Sequence, residues 1–309
     1  MLLSNFQRLN KPEYFFQPIQ LLRAIKYRFF DKTNQNIRSV ILPWKSKIKV
    51  HSNDDIGHSI LMTGIYDLIV TEILWRLINK GEIAVDIGAN IGYMTSLMAA
   101  KVTNSGKVYS YEAHPEIFQE LSENLTIWNH QLNWQHIEIK HCAISDQVGE
   151  LKLIIPDQFQ TNRGLSKIGT TSTEFDKSYS VPSSKLDILL NYESDIKIGV
   201  LKIDIEGHEL EAFNGAKELI CGHKIRDIIF EDYNHESYPN SLTNFLESYG
   251  YTILKAVSMF SQPVVCSPTS RQVGRSWEPT CYIATIDPER VKNCVRKTGW
   301  FSIHNNDKC

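Results

Sequence analysis

With 309 residues, of which 42% are apolar and 22% charged, the chain is long enough to bury the core of one large domain or two small ones. Its 33 basic and 35 acidic residues leave a net charge of -2, which supplies no general attraction to a phosphate backbone and argues against nucleic acid as a partner. Six cysteines, at 142, 221, 266, 281, 294 and 309, form no CxxC pair or zinc-type grouping and predict free thiols in a reducing cytoplasm; no window approaches the roughly 20 apolar residues of a membrane span.

The opening stretch "MLLSNFQRLNKPEYFF" lacks the apolar run and cleavage site of a secretory leader, so none is expected. Residues 1–55 read as an N-terminal helical extension. Ile19, Leu22, Ile25 and Phe29 recur at helical spacing among Arg23, Lys26 and Arg28, an amphipathic basic helix expected to cap the main domain, meet a second subunit or touch a membrane surface. Residues 56–287 form the main domain, and 288–309 a C-terminal tail. In the main domain, Ile65, Ile69, Ile73 and Leu77 mark a helix, "EIAVDIG" a buried strand, and Met94, Leu97 and Met98 a second helix. The strand "KVYSYE", a third helix opened by Pro115 and carried by Ile117, Leu121 and Leu125, and the strand "WQHIEIKHCAI" follow. Residues 157–180 break the rhythm with a polar, Ser/Thr-rich loop, read as a lid or substrate loop in which Ser166 faces the substrate. Beyond it, "KIGVLKIDIEG" and "KIRDIIFEDYN" are buried strands around a short helix from Leu210 to Cys221. A helix from Ser241 to Tyr249 precedes the last pair of strands, "YTILKAVS" and "CYIATI". Helices alternating with apolar strands predict a doubly wound α/β fold whose parallel sheet is covered on both faces.

The stretch "VDIGANIGY" (85–93) carries the first functional signal. A strand that ends in a glycine-rich turn and a helix N-terminus presents backbone N–H groups and a positive dipole end, the seat of a nucleotide-like ligand. The next strand ends on Glu112, twenty residues after Gly92, where an acid accepts the two hydrogen bonds of a ribose diol. A dinucleotide turn usually carries a central glycine; here Asn90 stands between Gly88 and Gly92, with Asp86 ahead of them. An acid and an amide suit an ammonium and a sulfonium better than two phosphates, which points to S-adenosylmethionine.

These residues, with "YEAHPEIFQELSENL" (111–125), "CAISDQVGE" (142–150), "SSKLDILL" (183–190) and "LKIDIEGHELEAFNGA" (201–216), resemble the FkbM-type methyltransferases of the class I S-adenosylmethionine-dependent fold. The resemblance covers about Tyr66 to Tyr251. It implies a mostly parallel seven-stranded sheet with its last strand antiparallel. It also implies methylation of a hydroxyl on a sugar, polyketide or related secondary metabolite, a small-molecule or glycan acceptor. Onto this chain it carries Asp86, Gly88, Asn90 and Gly92 for the methionine end, Glu112 for the ribose, and the neighbourhood of Ala143 to Asp146 for the adenine. Asp204, Glu206 and Glu209 fall in its signature block.

Methyl transfer from a sulfonium is an in-line displacement, so the enzyme holds the acceptor oxygen behind the methyl group and excludes water. The alcohol also loses a proton, which calls for a carboxylate or histidine at the strand edge. Asp204 ends one apolar strand and the pair Glu231–Asp232 another, and His208 and His235 lie near these acids. Asp204, Glu231 and His208 are therefore the catalytic candidates, by a route expected to need no metal; two carboxylates holding a divalent ion are the alternative. Two other readings compete: a catalytically silent S-adenosylmethionine-binding module and an NAD-type oxidoreductase. The extension is expected to serve as a cap or a homodimer contact.

Overall fold

The computed structural model describes residues 36–156, 163–169, 177–190, 195–232, 238–271 and 280–304, with the single residues Pro12 and Phe159. The basic helix expected around Ile19 to Phe29 and the candidate His235 lie outside them. In chain order, β1 (Ile37–Ile41) and β2 (Lys47–His51) precede α1 (Asp55–Thr63), α2 (Leu68–Leu77), β3 (Ile83–Ile87), α3 (Tyr93–Val102), β4 (Lys107–Glu112) and α4 (Pro115–Leu132). Then come β5 (Ile137–His141), β6 (Ala143–Ile144), β7 (Gly149–Ile155), β8 (Lys167–Ile168), β9 (Lys177–Ser184) and α5 (Leu186–Leu190). The second half holds β10 (Ile198–Ile203), α6 (Glu209–Gly215), α7 (Lys217–Cys221), β11 (Ile225–Asp232), α8 (Ser241–Ser248) and β12 (Thr252–Ser258). It closes with β13 (Pro263–Cys266), β14 (Thr280–Thr285), α9 (Pro288–Val295) and α10 (Phe301–His304).

The main sheet runs β13-β12-β14-β11-β10-β3-β4-β5. β5, β4, β3, β10 and β11 are parallel, as expected of apolar strands buried on both faces, and β14, the last strand among the described residues, is antiparallel to β11 and β12. Seven strands were expected; among the described residues the sheet has eight, because β13 folds back antiparallel on β12 at the edge. That strand is four residues long and starts on a proline, tolerated at a sheet edge and too short to show alternation. Residues alternate between the two faces: Ile229 joins the core beneath α2, α3 and α4, while Ile228 and Phe230 join the core beneath α6 to α8.

The periodicity from Ile65 to Leu77 predicts one helix; that helix is α2, which starts only at Leu68, and a separate α1 precedes it. Gly64 closes α1 in the left-handed region (φ 77°), and Asp67, also left-handed (φ 44°), restarts the chain by accepting Val70 N–H on its carboxylate at 3.1 Å. The stretch "WQHIEIKHCAI" likewise splits, at Cys142, into β5 of the main sheet and β6, which pairs with β9 of a second, four-stranded sheet.

Neither end of the main domain falls where its sequence pattern stops. Residues 36–54 are bound into the core: Trp128 Nε1 donates to Lys47 O at 2.8 Å, Asn124 bridges Lys49 N and Ile91 O, and Trp44 Nε1 donates to Ser96 Oγ at 3.0 Å. The segment read as a tail is bolted to α2. Arg76 donates to the carbonyls of Cys294, Val295, Lys297 and Gly299, and Glu72 accepts from Phe301 N and Ser302 N, both at 2.8 Å. Among the described residues no helix is long and apolar enough to cross a membrane.

Candidate active site

The carboxyl ends of β3, β4, β10 and β11 open on a cavity of about 510 Å³. The turn after β3 is built by contact. Gly88 (φ 74°) has no room for a side chain, since a Cβ there would lie 2.0 Å from Asp204 O, so the crossing of β3 and β10 requires glycine. Gly92 (φ 92°) faces α4, where a Cβ would meet Leu121 and Trp128 at 2.6 and 2.7 Å. Gly92 thus seats a helix, while Gly88 and Asn90 line the cavity. Asn90 takes the left-handed conformation (φ 51°) that a dinucleotide turn gives to glycine.

Glu112 lines the cavity from the end of β4. Its two oxygens accept Asn90 N–H and His114 N–H, each at 2.8 Å. Burial raises its pKa against those two bonds, and each oxygen has capacity for a second hydrogen bond. Ala143 and Ile144 add apolar wall beside it. Asp146 is not among the lining residues; it accepts from Ser145 Oγ at 3.2 Å. His208 lines the cavity at the same end, with Nε2 3.0 Å from Ser145 Oγ and Nδ1 3.5 Å from Glu211, and burial lowers its pKa. The structure thus groups His208 with Ala143 to Asp146 by hydrogen bonding.

Asp86 is fully buried behind the turn and does not line the cavity. It accepts from Thr95 Oγ1 at 2.7 Å and faces Lys202 Nζ at 3.5 Å. Lys202, overlooked in the sequence reading, is the organising cation. Its Nζ donates to Gly88 O at 3.1 Å and pairs with Asp204 at 3.4 Å. Burial opposes its charge, but Asp204 and Asp86 outweigh it and hold the pKa above the ordinary lysine value. A lysine as the sole charged residue in the buried strand "IGVLKI" was the available signal.

Around Lys202 the cavity wall is acidic. Asp204, Glu206 and Glu231 line it from the ends of β10 and β11, and Tyr66 and Asp67 from the break before α2. Burial first, then Asp204 and Asp67, raises the Tyr66 pKa well above its usual value. Burial, with Asp204 and Glu209 adding repulsion, pushes the Glu206 carboxyl up to about 8. Asp232 turns to the opposite face, where Asn240 donates to it at 2.8 Å, as strand alternation requires. Glu209 is spent on the turn after β10, accepting Ile205 N–H and Gly207 N–H. Asp187, of the stretch "SSKLDILL", caps α7 through Glu218 N and Leu219 N.

Residues 163–166 and Ile168 roof the cavity. Arg163 forks onto Glu120 of α4 at 2.8 and 2.6 Å, and its N–H donates to Asp54. Phe159 stacks on His114 with ring centroids 4.6 Å apart. Ser166 lines the cavity, its Oγ buried with no hydrogen-bond partner.

This strand order, with a glycine turn after the central strand and an acid ending the next, defines the Rossmann-like class I methyltransferase architecture. The family model for the Methyltransferase FkbM domain matches residues 86–253, and the chain belongs to that family. It is similar to Methyltransferase sdnD of Sordaria araneosa, with 26% identity over 218 residues, 62% of this chain and 82% of that protein. Hexuronic acid methyltransferase AglP of Haloferax volcanii is 24% identical over 172 residues, which span 56% of this chain and 64% of AglP. The crystal structure of methyltransferase FkbM from Methylobacillus flagellatus aligns with a TM-score of 0.44 at 18% identity, over 73% of this chain and 52% of that one.

Proposed function

We propose that this methyltransferase moves a methyl group from S-adenosylmethionine to a hydroxyl of a sugar, polyketide or related small molecule. The observation that carries the reading is one cavity lined at one end by Glu112 and at the other by Asp204 and Glu231. Glu112, with lone pairs left over, suits a ribose diol; Ala143 and Ile144 suit an adenine face. The ends of β3 and β10 around Gly88, Asn90 and Asp204 suit the methionine portion. Asp86 would act there through Lys202.

When bound, the cofactor supplies an electrophilic methyl group on a positively charged sulfur. The chain supplies the rest. The acid wall favours positive charge nearby, the roof at Arg163 to Ser166 narrows the access of water, and Ser166 Oγ has hydrogen bonds to offer an acceptor. A strand-end carboxylate accepts the hydroxyl proton. AglP is named for a hexuronic acid. Here the two cationic side chains described in the wall, Lys202 and Arg163, are already paired, with Asp86 and Asp204 and with Glu120. An uncharged hydroxyl-bearing acceptor therefore suits this wall better than a carboxylated sugar. A cytoplasmic setting suits the free thiols of Cys142, Cys221, Cys266, Cys281 and Cys294.

Calorimetry with S-adenosylmethionine and its demethylated product, followed by a labelled-methyl assay on a panel of neutral and acidic sugars, tests the reading. Binding with transfer to neutral hydroxyls is the expected result, unchanged by a chelator. Tight NADH binding without a response to S-adenosylmethionine would overturn it. Binding without transfer to any acceptor would favour a silent binding module.

A further inference from the structure

The turn after β10, residues 204–207, presents a carboxyl that the turn itself does not need. Glu209 holds the turn together: one of its oxygens accepts Ile205 N–H at 3.3 Å and Gly207 N–H at 3.1 Å. Asp204 N–H donates to Ile87 O at 3.2 Å, and the turn runs so close to Gly88 that a Cβ there would lie 2.0 Å from Asp204 O and 3.0 Å from Ile205 Cγ2. The start of the turn is thus fixed against the end of β3, beside the place proposed for the methionine portion of the cofactor. The backbone then enters the left-handed region at Glu206 (φ 54°) and Gly207 (φ 91°), which glycine does freely and glutamate only at a cost. From that strained position Glu206 lines the cavity.

Among the described residues five carboxyls line the cavity, and four of them are engaged. Asp67 accepts Val70 N–H, Glu112 accepts two backbone N–H groups, Asp204 pairs with Lys202, and Glu231 also has a partner. Glu206 is the exception: among the described residues it accepts no hydrogen bond and forms no ion pair. A residue that bears backbone strain to set an unengaged carboxyl in a cavity points to a function outside the fold.

We propose that Glu206 is the catalytic residue that takes the acceptor's hydroxyl proton, and that it is readied by losing its own proton when the cofactor's positive sulfur binds beside it. This rests on the hydroxyl-methylation reading above. The groups facing Glu206 are Asp204 and Lys202 from β10, Glu209 from α6, Lys167 from the roof and Tyr66 ahead of α2. Lys202 is already shared by Asp86 and Asp204, so burial and the two neighbouring acids prevail over the lysines and keep the Glu206 carboxyl protonated up to about pH 8. A positive charge at the end of β3 favours the ionised form, and the proton leaves to solvent. The carboxylate then accepts the hydroxyl proton as the acceptor O–H bond breaks and its oxygen forms the new O–CH3 bond, while the electron pair of the broken S–CH3 bond stays with sulfur. Sulfur ends neutral and Glu206 protonated, the state in which the free protein began. A carboxyl with a raised pKa is also a stronger base for an alcohol than an ordinary one. Asp204, with Lys202 beside it, is left to hold the hydroxyl in line.

Glu206→Gln keeps the shape and cannot ionise. The first readout needs no acceptor: calorimetry at pH 7 in buffers of different ionisation heat counts the protons released on binding. The demethylated product is the control, because its sulfur is neutral and its amino-acid end is the same. In the wild type S-adenosylmethionine should release roughly half a proton or more beyond the product. Binding that releases a proton strengthens as pH rises, so its affinity relative to the product should grow about tenfold between about pH 6 and pH 9. Both differences should vanish in Glu206→Gln, with product affinity unchanged. Glu206→Asp, which retains a carboxyl and suits the left-handed region, should keep the proton release. In turnover, Glu206→Gln should lower kcat about 100-fold with the acceptor KM little altered. Equal proton counts for the two ligands in the wild type, or full turnover in a folded Glu206→Gln enzyme, overturns the assignment. Wild-type protein that releases the proton but methylates no hydroxyl would instead overturn the hydroxyl reading, and with it the step given to Glu206.

Discussion

Helix α2 carries an ionic cluster in its body and another at its first turn, and the two are built by opposite rules. In the body, Glu72 and Arg76 are wholly buried side chains 2.6 Å apart. Every charge there is matched: Arg76 spends its N–H groups on Glu72 and four carbonyls, and Glu72 takes two further N–H groups from residues 301 and 302. At the first turn, Asp67 belongs to a cavity wall with Asp204, Glu206 and Glu231, where Lys202 pairs with Asp204 and with Asp86 behind the wall. Both clusters carry the cost of desolvated charge. The matched one joins the C-terminal segment to the core; the acid-rich one lines the cavity. Charge balance, more than burial, separates a bolt from a site.

The comparison can be broken most sharply at Arg76. Arg76→Met should cost about 3 to 5 kcal/mol of stability, because Glu72 would be left buried and unpaired, while the folded fraction binds cofactor normally. A urea midpoint within experimental error of wild type would show that the bolt carries no load.

On the site side, Asp204→Asn keeps the shape and removes one charge from an acid-rich wall. Turnover should fall about 100-fold through loss of acceptor alignment, with cofactor affinity nearly intact and stability unharmed. Full activity in steady-state assays would take Asp204 out of the reaction. Glu112→Gln keeps one of the two carboxylate acceptors and should weaken S-adenosylmethionine about tenfold by calorimetry, about 1.4 kcal/mol. Unchanged affinity would mean that the ribose lies elsewhere.

The smallest effect concerns pH. Glu206 has a folded pKa of about 8, above its unfolded value, so between those two values the folded protein binds the extra proton. Stability should therefore decline as pH rises through that window and level off above about 8. Glu206→Gln removes the group, so the variant should match wild type at pH 4 and exceed it at pH 9 by on the order of 1 kcal/mol in thermal melts. Parallel stability curves would show that Glu206 ionises freely in the fold.

Much of this molecule is legible in its linear pattern. The glycine turn at 88 to 92, the acid ending β4 and the acids ending β10 and β11 are local features, each tied to a strand end by a short apolar run. Such runs report which strands are buried on both faces, and so the doubly wound sheet. Lys202 was visible as a charge inside an apolar strand, yet its partners were not, because the register of Lys202 against Asp86 joins residues 116 apart in sequence. Asp67 was hidden for a different reason: helical periodicity runs unbroken across the turn that frees it.

By itself, then, the sequence determined the layered α/β class, the glycine turn after β3 and the edge on which the acids gather, since these follow from periodicity and from residues a few positions apart. Only the tertiary structure decided that residues 36–54 and 288–304 belong to the core and that Asp86 stands behind the cavity instead of in it. Those outcomes depend on packing and on where desolvated charges find partners, and such energies exist only once distant segments are brought together.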